Sequence, residues 1–254
     1  MSPAPKGKGK KAGLRVLLVL LALVLVCGVA AAAYAGDYLH GDAAAQSAMA
    51  SAETRKGLYA FGTENGNGTT GLILYPGGKV EAVAYGPLAK AVSDTADILV
   101  AVPEMPLRLA VLDKGAADRV MAAYPAIETW YVGGHSLGGA MAASYGAAHP
   151  DRVAGVVLLA AYATEPLNVP VLSVYGTEDT VLNAEKYAAN RVNLPDGFTE
   201  RVLPGGNHAQ FGSYGTQPGD GTPGISAEVQ RAQTAGAIAD WLEQLSGEKG
   251  RVKE

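Results

Sequence analysis

The stretch Glu128–Pro150, ETWYVGGHSLGGAMAASYGAAHP, is the part of the chain from which the fold can be worked out. A short apolar run rich in β-formers, 129–132, leads into a glycine-rich segment and then into an alanine-rich run typical of a helix. The pattern predicts a strand, a sharp turn and a helix, with Ser136 at the turn. Gly134 and Gly138 fit this geometry, because bulkier residues two places either side of a strained turn would collide.

Ser136 thus lies in a Gly-x-Ser-x-Gly sequence, in the strand–turn–helix context of a nucleophile elbow. The following helix would direct its N-terminal amides and positive dipole end towards the serine hydroxyl. The competing interpretation is a glycine-rich turn that merely contains a serine. On these residues the sequence resembles the α/β-hydrolase family, and more narrowly its small, lidless bacterial members of the esterase or dienelactone-hydrolase-like branch. The resemblance runs from Gly71 to Leu245.

Apolar segments alternate with helix-prone segments through the rest of the chain, which predicts an α/β fold. The expected arrangement is an α/β-hydrolase fold with a mostly parallel, doubly wound sheet and helices on both faces. Only Ala160–Val169 joins two predicted strands where larger relatives insert a lid, so we expect no lid domain. The closing helix, 225–245, should present its apolar side to the core. The residues on that side are Ile238, Trp241, Leu242 and Leu245.

The resemblance implies a triad whose acid and histidine follow the serine in that order. His208 lies in the glycine-rich loop 203–212, between the last strand and the last helix, where the family places its catalytic base. We set aside the other three histidines. His135, next to the nucleophile, is expected to point away from its hydroxyl. His40 lies in the leading segment, and His149 lies at the end of a predicted helix.

The resemblance favours Asp179 as the acid. The family pattern after the strand that precedes the acid reads G-x-x-D, and after the apolar run that ends at Tyr175 the sequence reads Gly176-Thr-Glu-Asp. Its carboxylate would accept the ring N–H of His208 and stabilise the imidazolium that forms. Glu178 is the adjacent alternative.

The resemblance also implies two oxyanion-hole amides. One should belong to Leu137 and the other to Gly78, or to Lys79 if the loop is shifted by one residue. Here Tyr75-Pro76 replaces the more usual His-Gly start of the loop. Three further side chains are candidates for the substrate pocket, namely Met105, Tyr162 and Phe211. Asp220 could suggest calcium, but a lone acid between glycines usually marks a turn.

The charge distribution argues against a nucleic-acid partner. The chain has 254 residues, 20 basic and 24 acidic, for a net charge of −4. Five basic residues precede the uncharged run that begins at Val16, so the rest carries 15 basic and 24 acidic residues, or −9. The only cysteine, Cys27, lies in the apolar segment, which excludes a disulfide, a cysteine nucleophile or a cysteine metal site in the globular part. We expect no metal and no cofactor.

The N-terminal segment predicts export of the globular domain. The uncharged run within 14–36 is long enough for a transmembrane signal anchor, with basic residues before it and an acid after it. The alternative is a signal peptide cleaved near Ala35, giving a secreted protein. In the first case the domain is held at the cell membrane by a single span, outside the cytoplasm. The expected divisions are a disordered basic start, 1–13, the apolar segment, 14–36, a stalk or leading helix, 37–56, the hydrolase domain, 57–246, and a charged tail, 247–254.

The leading functional hypothesis is a serine hydrolase that cleaves small or exposed carboxylic esters through a Ser-His-Asp triad and an acyl-enzyme. A thioesterase, a lactonase or an acyltransferase would use the same triad. A non-catalytic binding protein on the same fold is the alternative from another class. The expected partners are a small ester substrate and a membrane bound through the N-terminal helix. The sequence specifies neither the natural substrate nor the oligomeric state.

Overall fold

The computed structural model describes residues 8–62 and 69–251, which fall into two units, one ending at Tyr38 and one beginning at Leu39. The first unit holds one helix, α1 (Lys8–Gly36). The sequence Asn65-Gly66-Asn67-Gly68 predicts a turn, but it lies outside the described residues. So do the first seven residues and the last three.

Helix α1 departs from two expectations for the N-terminus. Residues 8–13, predicted to be disordered, form its first turns, since lysine and alanine are good helix formers. In the part of the chain that the structure describes, no helix combines the length and the apolarity needed to cross a membrane. The transmembrane helix predicted over 14–36 is therefore not supported, although the segment is helical.

The second unit is built on one sheet of eight strands. They are β1 (Glu53–Arg55), β2 (Leu58–Phe61), β3 (Thr70–Tyr75), β4 (Leu99–Pro103), β5 (Thr129–His135), β6 (Gly155–Leu159), β7 (Val171–Gly176) and β8 (Thr199–Leu203). Their spatial order is β1-β2-β4-β3-β5-β6-β7-β8. The strands β4-β3-β5-β6-β7-β8 are parallel to one another, while β1 and β2 pair antiparallel at one edge. The prediction of a mostly parallel sheet is confirmed.

Helices cover both faces of this sheet, as the alternating pattern predicted. They are α2 (Ala43–Ala48), α3 (Gly86–Ala96), α4 (Ala116–Ala123), α5 (Leu137–Ala148), α6 (Ala184–Asn190) and α7 (Ala227–Arg251). One core cluster joins the sheet to α3 and α7, and a second joins it to α4 and α5. The predicted core face of α7 is buried at Ile238, Trp241 and Leu242.

Three boundaries differ from the sequence pattern. The sequence predicts a stalk or a leading helix over 37–56. This stretch contains the short helix α2 and then β1, which pairs with β2. The helix-prone stretch that follows β3, 82–92, predicts a helix from Ala82, but the chain there starts as a 3-10 turn and becomes α-helical only at Gly86, with Pro87 in its first turn. The tail expected from Gly247 continues α7 as far as Arg251. Between β6 and β7 the chain forms neither helix nor strand.

Candidate active site

Ser136 occupies a strained junction between β5 and α5. Its φ is 53° and its ψ is −124°, a conformation costly for any residue with a side chain. The glycines around it are required by contact. A Cβ on Gly134 would lie 2.5 Å from the carbonyl carbon of Gly138. A Cβ on Gly138 would run into the carbonyl groups of Tyr75 and Pro76. The turn therefore has the tight construction that the sequence predicted.

His208 and Asp179 form a buried pair. His208 Nδ1 lies 2.9 Å from Asp179 Oδ2 and 3.1 Å from Oδ1, and the side chains are 2% and 1% exposed. Two backbone amides, those of Val181 and Leu182, donate to Asp179 Oδ1 at 3.0 and 2.8 Å. The alternative acid, Glu178, is exposed and accepts from the hydroxyl of its neighbour in the chain. The carboxylate that reaches the histidine is therefore that of Asp179.

Ser136 and His208 line the same cleft, which has a volume of about 320 Å³. Within the described residues no hydrogen bond reaches His208 Nε2, so the bond to the serine hydroxyl is not made in this state. Hydrogen bonds of this kind are often long without substrate and tighten in the reactive complex. The arrangement brings a serine hydroxyl and an acid-paired imidazole to one open cleft.

The loop after β3 lies against the start of α5. The Cδ2 of Leu137 would be 3.0 Å from a Cβ built on Gly78. The amides on either side of Gly78 are engaged: Gly77 N–H donates to Tyr85 Oη at 2.9 Å, and Lys79 N–H donates to Arg108 O at 2.8 Å. No acceptor for the Gly78 amide is found among the described residues. Of the two candidates from the sequence, Gly78 therefore has the available donor.

The loop that carries His208 is held by two residues whose role the sequence did not reveal. Asp220 accepts from the amides of His208 (3.2 Å) and Ala209 (2.8 Å). Gln230, fully buried on α7, makes a two-way contact with Asn207, accepting its N–H at 2.9 Å and donating to its C=O at 2.8 Å. The glycines around Asp220 suggested only a turn. Nothing in the sequence distinguishes Gln230 from the other polar residues of α7.

His135 is closer to the site than the sequence suggested. Its ring centroid lies 4.4 Å from that of His208, and its Nδ1 is 2.8 Å from Tyr85 Oη. The ring is 1% exposed. Burial, and then the proximity of His208, hold the pKa of His135 well below its usual value. The sequence did not reveal this contact with the candidate base, which depends on how the end of β5 packs against the loop after β8.

The three pocket candidates have different positions. Tyr162 lines the cleft that contains Ser136 and His208. Met105 is buried and faces a separate depression beside the 3-10 turn after β3. Phe211 is fully buried, with its ring 5.5 Å from that of His135. Neither Met105 nor Phe211 lines the cleft, since both are buried in the core. Among the described residues, no group of three or more acids, histidines or cysteines could hold a metal ion.

Comparisons with known proteins agree with this architecture. A family model described as "Alpha/beta hydrolase family" matches residues 71–232. Similar solved structures include an esterase from Thermogutta terrifontis, with 12% identity, a TM-score of 0.56 and coverage of 74% of this chain and 93% of that one. A monoacylglycerol lipase from Paleococcus ferrophilus has 16% identity, a TM-score of 0.55 and coverage of 74% and 98%.

A membrane phospholipase A, described as a bacterial virulence factor, has 15% identity, a TM-score of 0.53 and coverage of 94% and 99%. No curated protein matches the sequence. At these identities the solved structures show a shared fold, whereas the family model covers most of the chain. This protein is a hydrolase that belongs to the alpha/beta hydrolase family.

Proposed function

We propose that this hydrolase cleaves carboxylic esters through an acyl-enzyme on Ser136, with His208 as general base and Asp179 as its acid partner. The observation that carries the proposal is the buried His208–Asp179 pair in the cleft lined by the strained Ser136. A buried carboxylate against an imidazole is the arrangement that fixes its tautomer and stabilises its protonated form.

In the proposed reaction His208 Nε2 takes the proton of Ser136 as Oγ bonds to the ester carbonyl carbon. The C–O bond to the alcohol then breaks, and His208 returns the proton to the departing oxygen. A water molecule gives a proton to His208 as its oxygen bonds to the acyl carbon; the bond from that carbon to Ser136 Oγ then breaks, His208 returns the proton to Oγ, and the acid leaves. Because Asp179 accepts at Nδ1, the proton on the resting histidine lies on Nδ1 and leaves Nε2 free to accept.

The oxyanion would be held by the amides of Leu137 and Gly78. Leu137 is the first residue of α5, where backbone amides have no acceptor inside the helix. The Gly78 amide has no acceptor among the described residues, while its neighbours on both sides donate elsewhere. Two such fixed donors stabilise a negative oxygen far more in a protein cleft than in water, since they need no reorganisation.

The cleft favours small or exposed acyl groups. It is about 320 Å³ in volume, and Ala140, Ala160 and Ala161 keep its walls small. Residues 160–170 form no cap over it. Thioester cleavage, lactone opening and acyl transfer to an alcohol would use the same catalytic groups. Carboxylic esters are the substrate class to test first. The esterase and lipase descriptions of the similar structures point to the same class.

The test combines active-site labelling with turnover. The full-length chain, its Ser136→Ala variant and its His208→Ala variant are treated with a fluorophosphonate probe and assayed on p-nitrophenyl acetate, butyrate and octanoate. We expect labelling and hydrolysis only in the wild type, with the octanoate turned over most slowly. A folded wild-type protein that neither labels nor hydrolyses any acyl substrate would instead favour a non-catalytic binding protein.

The proposed location of the domain is outside the cytoplasmic membrane. The support is the basic start, the uncharged segment within 14–36 and the acid that follows it, Asp37. The measurement is a fusion of alkaline phosphatase to the C-terminus, which is active only after export, together with N-terminal sequencing of the product. An inactive but intact fusion contradicts export. A product starting at Gly36 indicates cleavage after Ala35.

A further inference from the structure

A buried chain of hydrogen bonds runs from the loop after β3 to His135. Gly77 N–H donates to Tyr85 Oη at 2.9 Å, and the same oxygen lies 2.8 Å from His135 Nδ1. Tyr85 is fully buried and His135 is 1% exposed. The Tyr85 hydroxyl already accepts from Gly77, and the only described acceptor for its own hydrogen is His135 Nδ1. If Tyr85 is the donor in this contact, the ring proton of His135 lies on Nε2, which is buried and has no acceptor among the described residues.

The other edge of His135 lies beside the candidate base. The two imidazole centroids are 4.4 Å apart with an interplanar angle of 51°. Phe211 packs on His135 with its centroid at 5.5 Å, so the ring has little room to move. Asp179 holds His208 at Nδ1, and His135 lies against its ring. These two contacts together limit the rotation of His208 in the cleft.

Both groups of the chain are uncharged near neutral pH. Burial raises the pKa of Tyr85 above its usual value. Burial, followed by the neighbouring His208, lowers the pKa of His135 well below 6.5. A neutral His135 can therefore support His208 without placing a second positive charge beside the imidazolium that forms during catalysis.

We propose that Tyr85 and His135 are positioning residues that connect the oxyanion loop, 76–79, to the ring of His208. The hydroxyl of Tyr85 fixes both the amide plane of Gly77, next to the Gly78 donor, and the tautomer of His135. One buried hydroxyl thereby sets two parts of the site relative to each other. The catalytic consequence rests on the ester hydrolysis proposed above, whereas the tautomer of His135 does not depend on it.

The first experiment is Tyr85→Phe in the full-length chain. Without the hydroxyl, Gly77 loses its acceptor and His135 Nδ1 loses its donor. We expect kcat on p-nitrophenyl butyrate to fall about tenfold with KM within about twofold, since the loss affects alignment and leaves the cleft walls intact. A folded Tyr85→Phe variant with kcat within twofold of the wild type overturns the proposal.

A spectroscopic measurement tests the hydrogen bonds without any substrate. Imidazole ¹⁵N shifts of histidine-labelled protein report which ring nitrogen carries the proton, and His135→Gln identifies the His135 signals by their loss. We expect the proton on Nε2 of His135 in the wild type and at least partly on Nδ1 in Tyr85→Phe. A proton on Nδ1 in the wild type overturns the proposal even if Tyr85→Phe does not fold.

Two further variants separate positioning from stability. Tyr187→Phe is the matched control, because Tyr187 is also buried and its hydroxyl also bridges two groups, donating to Glu200 Oε1 at 2.6 Å and lying 2.9 Å from Ser173 Oγ. It should lose comparable stability and keep its kcat. A fall in kcat equal to that of Tyr85→Phe would show a general effect of core loosening and overturn the proposal.

The second comparison replaces His135 itself. His135→Gln retains an acceptor for Tyr85 and an N–H donor, whereas His135→Leu retains neither. We expect the glutamine variant to recover part of the activity that the leucine variant loses. Equal kcat in the two variants contradicts the positioning role. If the wild type itself has no esterase activity, the proposed function fails, and the tautomer measurement still tests the hydrogen-bond chain.

Discussion

The substitution Gly138→Ala should damage the site through contact between two backbones. The Cβ that it introduces would lie 2.8 Å from the carbonyl carbon of Pro76 and still closer to the carbonyl oxygens of Tyr75 and Pro76. Ordinary contact begins at 3.4 Å. The loop must therefore retreat from α5 by at least about 0.6 Å (3.4 minus 2.8), and this is the loop whose Gly78 amide is proposed to hold the oxyanion.

Two opposing contributions determine how much Gly138→Ala changes the free energy of unfolding. Alanine is favoured over glycine in a helix by about 1 kcal/mol. Overpacking against backbone costs about 1–3 kcal/mol. We expect the net loss in the free energy of unfolding to lie between about zero and about 2 kcal/mol. The activity should suffer more, because a displacement of about 1 Å in a site costs about a hundredfold in rate, so kcat should fall at least about tenfold.

The assay is urea unfolding together with ester turnover on the same preparations. Gly236→Ala is the matched control. It is also a helical glycine, on α7, but a Cβ there meets nothing within 4 Å. It should gain up to about 1 kcal/mol and keep its activity. A Gly138→Ala variant with the stability and kcat of the wild type would refute the close approach of the loop to α5.

Three other predictions follow from the site. Asp179→Asn should lower kcat on p-nitrophenyl butyrate by about 10³–10⁴-fold with little change in KM, because the amide cannot stabilise the His208 imidazolium. Activity within tenfold of the wild type would contradict the role of Asp179. Asp220→Asn loses a carboxylate oxygen that caps the His208 loop and should lower stability by about 1–3 kcal/mol in urea unfolding; an unchanged midpoint would refute the capping. The pKa of His135 is depressed below 6.5 in the folded state, so the unfolded chain binds more protons than the folded one as pH falls. The contribution of His135 to the free energy of unfolding is therefore fully present above pH 6.5 and is lost as pH falls from there towards the folded pKa. The expected slope is at most about 1.4 kcal/mol per pH unit between pH 6.5 and 5, and His135→Gln should remove it.

The sequence predicted those parts of the fold that depend on local chemistry. The elbow could be predicted because a strand that turns directly into a helix needs glycines at 134 and 138, and the contacts at both positions bear this out. The buried parallel strands could be predicted from their apolar runs. Asp179 and His208 follow strands whose ends meet at one edge of the sheet, so their meeting could also be anticipated.

The remaining features depend on contacts between segments distant in the chain. The edge strand β1 has three residues and no apolar pattern, so it forms only because β2 offers it a partner. Tyr85 and Gln230 look like ordinary helix residues until the loops they hold are in place. Phe211 follows His208 in a glycine-rich loop, which suggested a pocket wall, but it fills the core under His135. Sequence spacing carries no information on such pairings.

The contact between Gln230 and Asn207 has a consequence for synthesis of the protein. The elbow is formed by β5 and the start of α5, whereas the loop that carries His208 is anchored by a residue of α7, which follows that loop in the chain. A nascent chain halted before α7 would hold the serine but no fixed base. Reactivity should therefore arise only after α7 has been synthesised and has packed against the loop that carries His208.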